Sequence, residues 1–290
     1  MIKHIVMASG GYKGLNILGV LSELSREKFY DIENIKTIYG SSIGAYVGVL
    51  LCLKMSWDDL LDYFINRPWQ KAVKVPSITD FFSDKGFVDC SFFAISLKNL
   101  LLSKDLNLDI TFQELYDYSN IELHMFTVEV QSFVLKDLSV KTTPSMKILE
   151  GIHQTCAIPY VFKPSWYNNN YYIDGGVLNN YPLGNCINDG ANKEEILGIK
   201  FEHDKNYKVT IINKESNILE FSRHLHNKLI ELCRKINVES GKEISNEIII
   251  NNFTPTDVAE SIKLIKEKIH REKYINYGKK IAREFLNLIH

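Results

Sequence analysis

Apolar residues in this chain recur in two rhythms, and the switching between them sketches a fold. Residues 2–8, "IKHIVMA", are mostly apolar and run straight into "SGGYKG", which reads as a buried strand ending in a turn. Leu15, Leu18, Leu21 and Leu24 then return at helical spacing. "IKTIYG" at 35–40 predicts a second short strand, and Ile43 to about Asn66 a long helix. Strand, tight turn and helix, used twice, is how an α/β sheet with parallel strands begins.

Residues 68–103 read as irregular and rich in phenylalanine (Phe81, Phe82, Phe87, Phe92, Phe93). "TFQEL" at 111–115 is a capping box, with Thr111 as the cap and Glu114 three residues on. "ELHMFTVEV" and "SFVLKDLSV" predict two paired strands, and a helix is expected from about 145 to 157. "WYNNNYYIDGG" predicts a hairpin with the asparagines at its tip, whose returning strand delivers Asp174. "EEILGIKFE" reads as a last central strand. Beyond residue 203 the texture turns to charged helices at about 215–240 and 256–289, with a strand, "EIIINNF", between them. No repeat or low-complexity linker divides the chain. The expectation is one domain over 1–290, with a catalytic core of about 1–203 and a helical C-terminal flank of about 204–290.

Composition narrows the partners. A formal net charge of -1 argues against nucleic acid as a partner. The cysteines Cys52, Cys90, Cys156, Cys186 and Cys233 contain no C-x-x-C pair, which suits reduced thiols in a cytoplasmic or other intracellular setting. No signal peptide is visible at "MIKHIVMASGG", and the apolar run from Ile43 to Leu53 is too short for a membrane span. No residue cluster calls for a metal or another cofactor.

Three small motifs carry the chemistry. Gly40-Ser41-Ser42-Ile43-Gly44 fits G-x-S-x-G between a strand and a helix, the setting of a nucleophile elbow. Glycines at 40 and 44 let a strained turn close, leaving the Ser42 hydroxyl clear of the sheet. "SGGYKG" places consecutive glycines before a helix, where free N–H groups converge on negative charge. "DGGVLNNYP", 174–182, sets an aspartate at a strand end beside two glycines that permit close approach. Each also has a plain reading as a glycine-rich turn.

In the order "SGGYKG", "GSSIG", "CAIPYVFKP", "DGGVLNNYP", the sequence resembles the patatin-like phospholipase family over about residues 3–202. The resemblance implies a three-layer α/β/α fold on a mainly parallel sheet and a lipid acyl hydrolase of phospholipase A type. Ser42 would be the nucleophile and Asp174 the second catalytic side chain. Gly10, Gly11 and Tyr12 would supply the oxyanion hole, with Lys13, Gly14, Gly175 and Gly176 in support. Ser9 stands where the family usually has glycine, and Lys13 where it usually has arginine. The expected substrate is a phospholipid or other acyl lipid, met at a membrane or micelle surface. Asp174 would act as base with its carboxyl raised above the ordinary value by partial desolvation.

Two other readings stand beside this one. A Ser-His-Asp hydrolase would use His203, although few strands precede Ser42 for that architecture. A non-catalytic protein of the same fold would bind lipids or partners without turnover. His153, inside a helix, reads as a packed or surface residue. The phenylalanine-rich stretch suits aromatic packing or a lid over an acyl-chain entrance. In the last helix Ile262, Ile265, Ile269, Ile281, Phe285 and Leu288 share a face, and from Lys263 onward eight Lys or Arg oppose three Glu. That pattern fits a packed helix with a solvated basic face, or one that touches anionic membrane.

Overall fold

A computed structural model describes residues 1–71, 85, 86, 89, 91–203, 212–236, 243–253 and 263–289. In chain order the elements are β1 (His4–Met7), α1 (Gly14–Arg26), β2 (Thr37–Ser41), α2 (Ile43–Cys52), α3 (Trp57–Asn66) and α4 (Ser91–Leu102). There follow α5 (Phe112–Ser119), β3 (Glu122–Glu129), β4 (Val134–Leu138), α6 (Ile148–Cys156), β5 (Ser165–Tyr167) and β6 (Asn170–Asp174). The chain continues through α7 (Leu183–Asn188), β7 (Ile196–His203), α8 (Ile218–Ile236), β8 (Asn246–Phe253) and α9 (Lys268–Ile289).

The strands form one mixed sheet, hydrogen-bonded in succession along the path β5-β6-β3-β2-β1-β7-β8, with β4 also paired to β3. β1, β2, β3, β7 and β8 run parallel, and β4 and β6 run antiparallel to β3. Alternation along each strand feeds two cores. Ile5, Met7, Ile38, Leu123 and Met125 join the larger one with α1 and α2, whereas Val6, Tyr39 and Phe126 pack on Leu183 and Cys186 of α7. Helices therefore cover both faces, giving the expected three layers.

The pairing on β3 fixes where the functional ends meet. Residues 122–126 of β3 pair with β2, and Thr127–Glu129 pair with β6. β4 pairs across both stretches, from Met125 to Glu129, and so occupies the opposite edge. β2 and β6 thus lie end to end on a single edge of β3. Their carboxyl ends, Ser41 opposite Phe126 and Asp174 opposite Thr127, abut.

Several sequence expectations change. The helix predicted from Ile43 to Asn66 is two helices, because Lys54 takes a φ of 46° and Ser56 caps α3 by accepting from the Asp59 N–H. Part of the supposedly irregular 68–103 stretch is α4. There Phe93 is buried, with its ring 5.7 Å from Tyr46 and 5.4 Å from Phe162, so it packs the core. Phe81, Phe82 and Phe87 lie outside the described residues.

Of the apolar residues expected to share a face of the last helix, Ile265, Ile281 and Phe285 pack against the core and Ile262 lies outside the described residues, but the fully buried face is another one. Arg271, Ile275, Gly278, Ala282 and Leu286 are buried, whereas Ile269 and Leu288 are 65% and 85% exposed. Gly278 of α9 presses on the Asn16 carbonyl, and Gly19 of α1 on the Ile275 carbonyl, each too close for a Cβ. The small residues allow the closest approach to α1, with Ile275 and Leu286 buried on the same face. Arg271 is buried because its guanidinium donates to the carbonyls of Ile65 (2.8 Å) and Leu264 (2.7 Å). Arg283 Nε reaches Glu23 of α1 at 2.6 Å.

On the α7 face sits a buried charged group. The His124 ring stacks on Tyr39 (centroids 4.2 Å, 4° between planes), with Nδ1 2.8 Å from Asp137 Oδ2 and Nε2 2.8 Å from Glu122 Oε1. Burial lowers the basicity of His124, but hydrogen bonding and attraction to Asp137 and Glu122 override it and lift the pKa to about 9. Glu122 is held down to about 2, chiefly by its hydrogen bond to His124. Among the described residues, no helix is long and apolar enough to cross a membrane.

Candidate active site

Ser42 stands between β2 and α2 with φ 55° and ψ −125°, a backbone conformation that side-chain-bearing residues rarely hold. The strain is sustained by its surroundings. Gly40 is the penultimate residue of β2 and Gly44 the second residue of α2. A Cβ on Gly44 would collide with the Met7 carbonyl, so only glycine lets α2 start this close to β1. The Ser42 N–H donates to Thr155 Oγ1 (2.9 Å), and that hydroxyl donates to the Phe126 carbonyl (2.5 Å). Thr155, on α6, is fully buried and ties the elbow to β3.

Asp174 is the last residue of β6. Its Oδ2 accepts from Ser42 Oγ at 2.5 Å, and its Oδ1 accepts from the Gly176 N–H at 2.7 Å. Its own N–H is fixed on the Ala157 carbonyl at 3.0 Å. Both carboxylate oxygens are thereby oriented, one by the backbone and one toward the serine. Ser42 and Asp174 are only 2% and 5% exposed. In so dry a setting, hydrogen bonds and charges act with little screening.

The turn after Asp174 is stitched to the neighbouring strand ends. Gly175 and Gly176 form a short 3-10 turn, and a Cβ on Gly176 would strike Ser9 Oγ and Asp174 Oδ1. Ser41 Oγ donates to the Asn179 carbonyl at 2.6 Å. The Ser9 N–H donates to the Asn180 carbonyl at 2.8 Å, and the Ser9 hydroxyl bonds the Asn180 side chain. Ser9, the departure from the family pattern, thus has a structural role here.

The glycine loop closes the same end of the sheet. Gly10 has φ −168° and ψ 6°, Gly11 has φ 56°, and residues 11–13 form a 3-10 turn before α1 starts at Gly14. Gly14 lies tightly against Ile43, the residue after Ser42. Lys13 is buried, with Nζ 5.8 Å from the centroid of the Tyr12 ring. Tyr12 meets Tyr274 of α9 edge to face at 5.6 Å. Two helix N-termini, those of α1 and α2, therefore open at this end of the sheet and favour negative charge there.

All three motifs named from the sequence are brought together. Sequence reasoning missed Thr155, whose only signal was a hydroxyl residue immediately before "CAIPYVFKP". It also assigned no role to Cys156, a buried thiol beside the pair. Burial and then the charge of Asp174 push that thiol well above its usual range, while a hydrogen bond to Ser42 pulls it down. His203 closes β7, which is separated from β2 by β1. His153 is packed, with Nε2 2.9 Å from the Lys163 carbonyl, and burial lowers its pKa.

A serine raised on a strand–helix elbow, in direct contact with an oriented carboxylate, is the arrangement that nucleophilic-serine chemistry calls for. Residues 5–187 match the family model of patatin-like phospholipases, and the chain belongs to that family. It is 26% identical over 216 residues to the probable lipid hydrolase 463L of Invertebrate iridescent virus 6, covering 71% of this chain and 66% of that one. It is 24% identical over 208 residues to the uncharacterized protein R571 of Acanthamoeba polyphaga mimivirus, covering 71% and 67%. The first match thus spans less than two thirds of the relative's own length. In fold the chain is similar to VipD from Legionella pneumophila, with a TM-score of 0.59 at 18% identity, covering 99% of this chain and 67% of that one.

Proposed function

We propose that this protein is a lipid acyl hydrolase of phospholipase A type, cleaving carboxylic esters through a Ser42–Asp174 dyad. The observation that carries the reading is the 2.5 Å contact between Ser42 Oγ and Asp174 Oδ2 on a left-handed elbow. As Oγ attacks the ester carbonyl carbon, its proton passes to Asp174. The tetrahedral intermediate collapses, the ester C–O bond breaks, and the proton goes on to the departing alcohol. Water then attacks the acyl-enzyme, gives a proton to Asp174, and the released serine takes it back.

N–H groups of Gly10, Gly11 and Tyr12 serve as the oxyanion hole in this scheme, each donor contributing ~3 kcal/mol to the transition state. Support comes from the packing of Gly14 on Ile43 and from the two helix N-termini at this end of the sheet. Lys13 adds positive charge, and the turn at Gly175 and Gly176 holds the base. Residues 1–203 act as the catalytic core and 204–290 as its flank within one domain. The substrate is a membrane phospholipid or related acyl lipid, met at the surface of an intracellular membrane. The direct serine–carboxylate contact favours a dyad over a triad with His203 between the two groups.

The test is hydrolysis of a short-chain p-nitrophenyl ester and of mixed phospholipid vesicles by wild type, Ser42→Ala and Asp174→Asn. Loss of turnover in both variants with the fold preserved is expected, and the lipid products name the substrate class. A wild-type protein that neither turns over esters nor reacts at Ser42 with a fluorophosphonate would leave lipid or partner binding as its function.

A further inference from the structure

The segment after the base holds the other two parts of the site on consecutive carbonyls. Asn179 and Asn180 follow the Gly175–Val177 turn, and the Asn179 N–H donates back to the Gly175 carbonyl at 2.8 Å. The Asn179 carbonyl accepts from Ser41 Oγ at 2.6 Å, one residue before the nucleophile. The next carbonyl, that of Asn180, accepts the Ser9 N–H at 2.8 Å, one residue before the glycine loop. The Asn179 side chain is itself anchored, its Nδ2 donating to Asn185 Oδ1 of α7 at 2.7 Å. Elbow, loop and base therefore hang on one dipeptide.

The two attachments differ in what they must hold. Ser41 is the last residue of β2 and is already fixed by its pairing with Phe126 of β3. Ser9 lies beyond the end of β1, and the two glycines after it have no side chains to pack and wide backbone freedom, which Gly11 uses at φ 56°. Placement of the loop against the dyad thus depends on how its near end is held. There the Ser9 hydroxyl donates to the Asn180 side-chain oxygen, a second bond beside the backbone one. Two bonds between the same two residues fix an orientation where one fixes a distance. Ser9 is buried and Asn180 half-buried, so water competes poorly for either partner. A glycine at position 9, the family's usual residue, could make the backbone bond alone.

We infer that Ser9 and Asn180 are positioning residues whose paired side chains set the glycine loop where its N–H groups meet the oxyanion formed on attack by Ser42. This deepens the lipid-hydrolase reading and rests on it, since it assumes that the loop supplies the oxyanion donors. Neither side chain touches the reacting atoms; both act through the backbone of Gly10 and Gly11. Such donors must stand about 2.7–3.1 Å from the oxyanion, and a misplacement of about 1 Å costs roughly a hundredfold in rate. The oxyanion exists only once the carbonyl is attacked, so loss of the clasp lowers kcat and leaves KM nearly unchanged.

The experiment compares wild type, Ser9→Ala, Asn180→Ala and the double variant on a soluble p-nitrophenyl ester, so that lipid binding plays no part. Each single substitution is expected to lower kcat roughly tenfold to a hundredfold, with KM within about twofold of wild type. The double variant should be no worse than the worse single one, as befits two halves of one interaction. An alkyl trifluoromethyl ketone, whose adduct with Ser42 carries an alkoxide where the oxyanion forms, should lose affinity in step with kcat/KM. Circular dichroism and urea unfolding check that each variant is folded under the assay conditions. The inference is overturned if either folded single variant keeps wild-type kcat, if the two losses multiply in the double variant, or if ketone affinity holds while kcat falls. A wild type that reacts with neither ester nor fluorophosphonate is a different result: it defeats the hydrolase reading, and the inference with it.

Discussion

Replacing Thr155 with valine removes one hydroxyl and almost no volume, which makes it a sharp probe of the elbow. In the native protein that hydroxyl receives the Ser42 N–H at 2.9 Å and donates to the Phe126 carbonyl at 2.5 Å, with the threonine fully buried. Losing a partner for a buried amide costs about 1–3 kcal/mol, and the carbonyl adds a similar amount if nothing replaces the bond. A loss of about 2–4 kcal/mol in urea unfolding is expected. The strain stored at Ser42 then has one restraint fewer, and the turn relaxes toward commoner backbone angles. A displacement of Oγ by about 1 Å lowers turnover roughly a hundredfold. The assay is kcat and KM on a soluble p-nitrophenyl ester, run beside Thr155→Ser. Thr155→Val should lose kcat with KM nearly unchanged, and Thr155→Ser should recover most of it. If Thr155→Val loses stability but keeps its kcat, the hydroxyl holds the fold together without positioning the serine, and the reasoning fails.

Other consequences are open to direct measurement. His124, lifted to about 9 between Asp137 and Glu122, contributes stability that is complete below its ordinary value near 6.5 and is lost as pH rises through about 9. Wild type should therefore lose about 3 kcal/mol over that interval relative to His124→Gln; parallel pH profiles of urea unfolding would exclude the buried imidazolium. Glu122 acts at the acid end, its contribution present above about 4.5 and lost as pH falls toward 2. Gly278→Val forces a side chain into the Asn16 carbonyl and should destabilise the protein by about 3 kcal/mol in thermal unfolding, whereas Lys280→Ala, at an exposed position on the same helix, should be near neutral.

Much of the framework was legible because it is written in local chemistry. Strand, glycine turn and helix announced β1–α1 and β2–α2. Thr111 and Glu114 form the expected reciprocal cap. Asn168 and Asn169 take φ of 46° and 61° at the hairpin tip, a region asparagine enters readily. What escaped notice depends on partners far along the chain. His124 shares a face of β3 with Glu122 two residues before it, but its second carboxylate, Asp137, comes from β4 and is visible only once the strands are paired. The inward face of α9 was legible only in part: Ile281 and Phe285 pack on the core as their size suggests, whereas the close approach to α1 is allowed by the absence of a side chain at Gly278. Arg271 reads as a surface charge until the carbonyls it serves are in view. Thr155 has no motif at all.

The end-to-end placement of β2 and β6 on one edge of β3 makes the third strand a ruler. The spacing between serine and carboxylate is set by counting residues along a common template, not by the compliance of loops. A slip of β6 by a single residue would carry Asp174 about 3.3 Å along the template and turn its side chain to the other face of the sheet. Small shifts in the surrounding loops leave the count intact. The same arrangement also imposes an order in time. The two groups are 132 residues apart in the chain, so a growing polypeptide displays the serine long before it has a partner for it. The pair is complete only when β6 has been made and laid down on β3, end to end with β2.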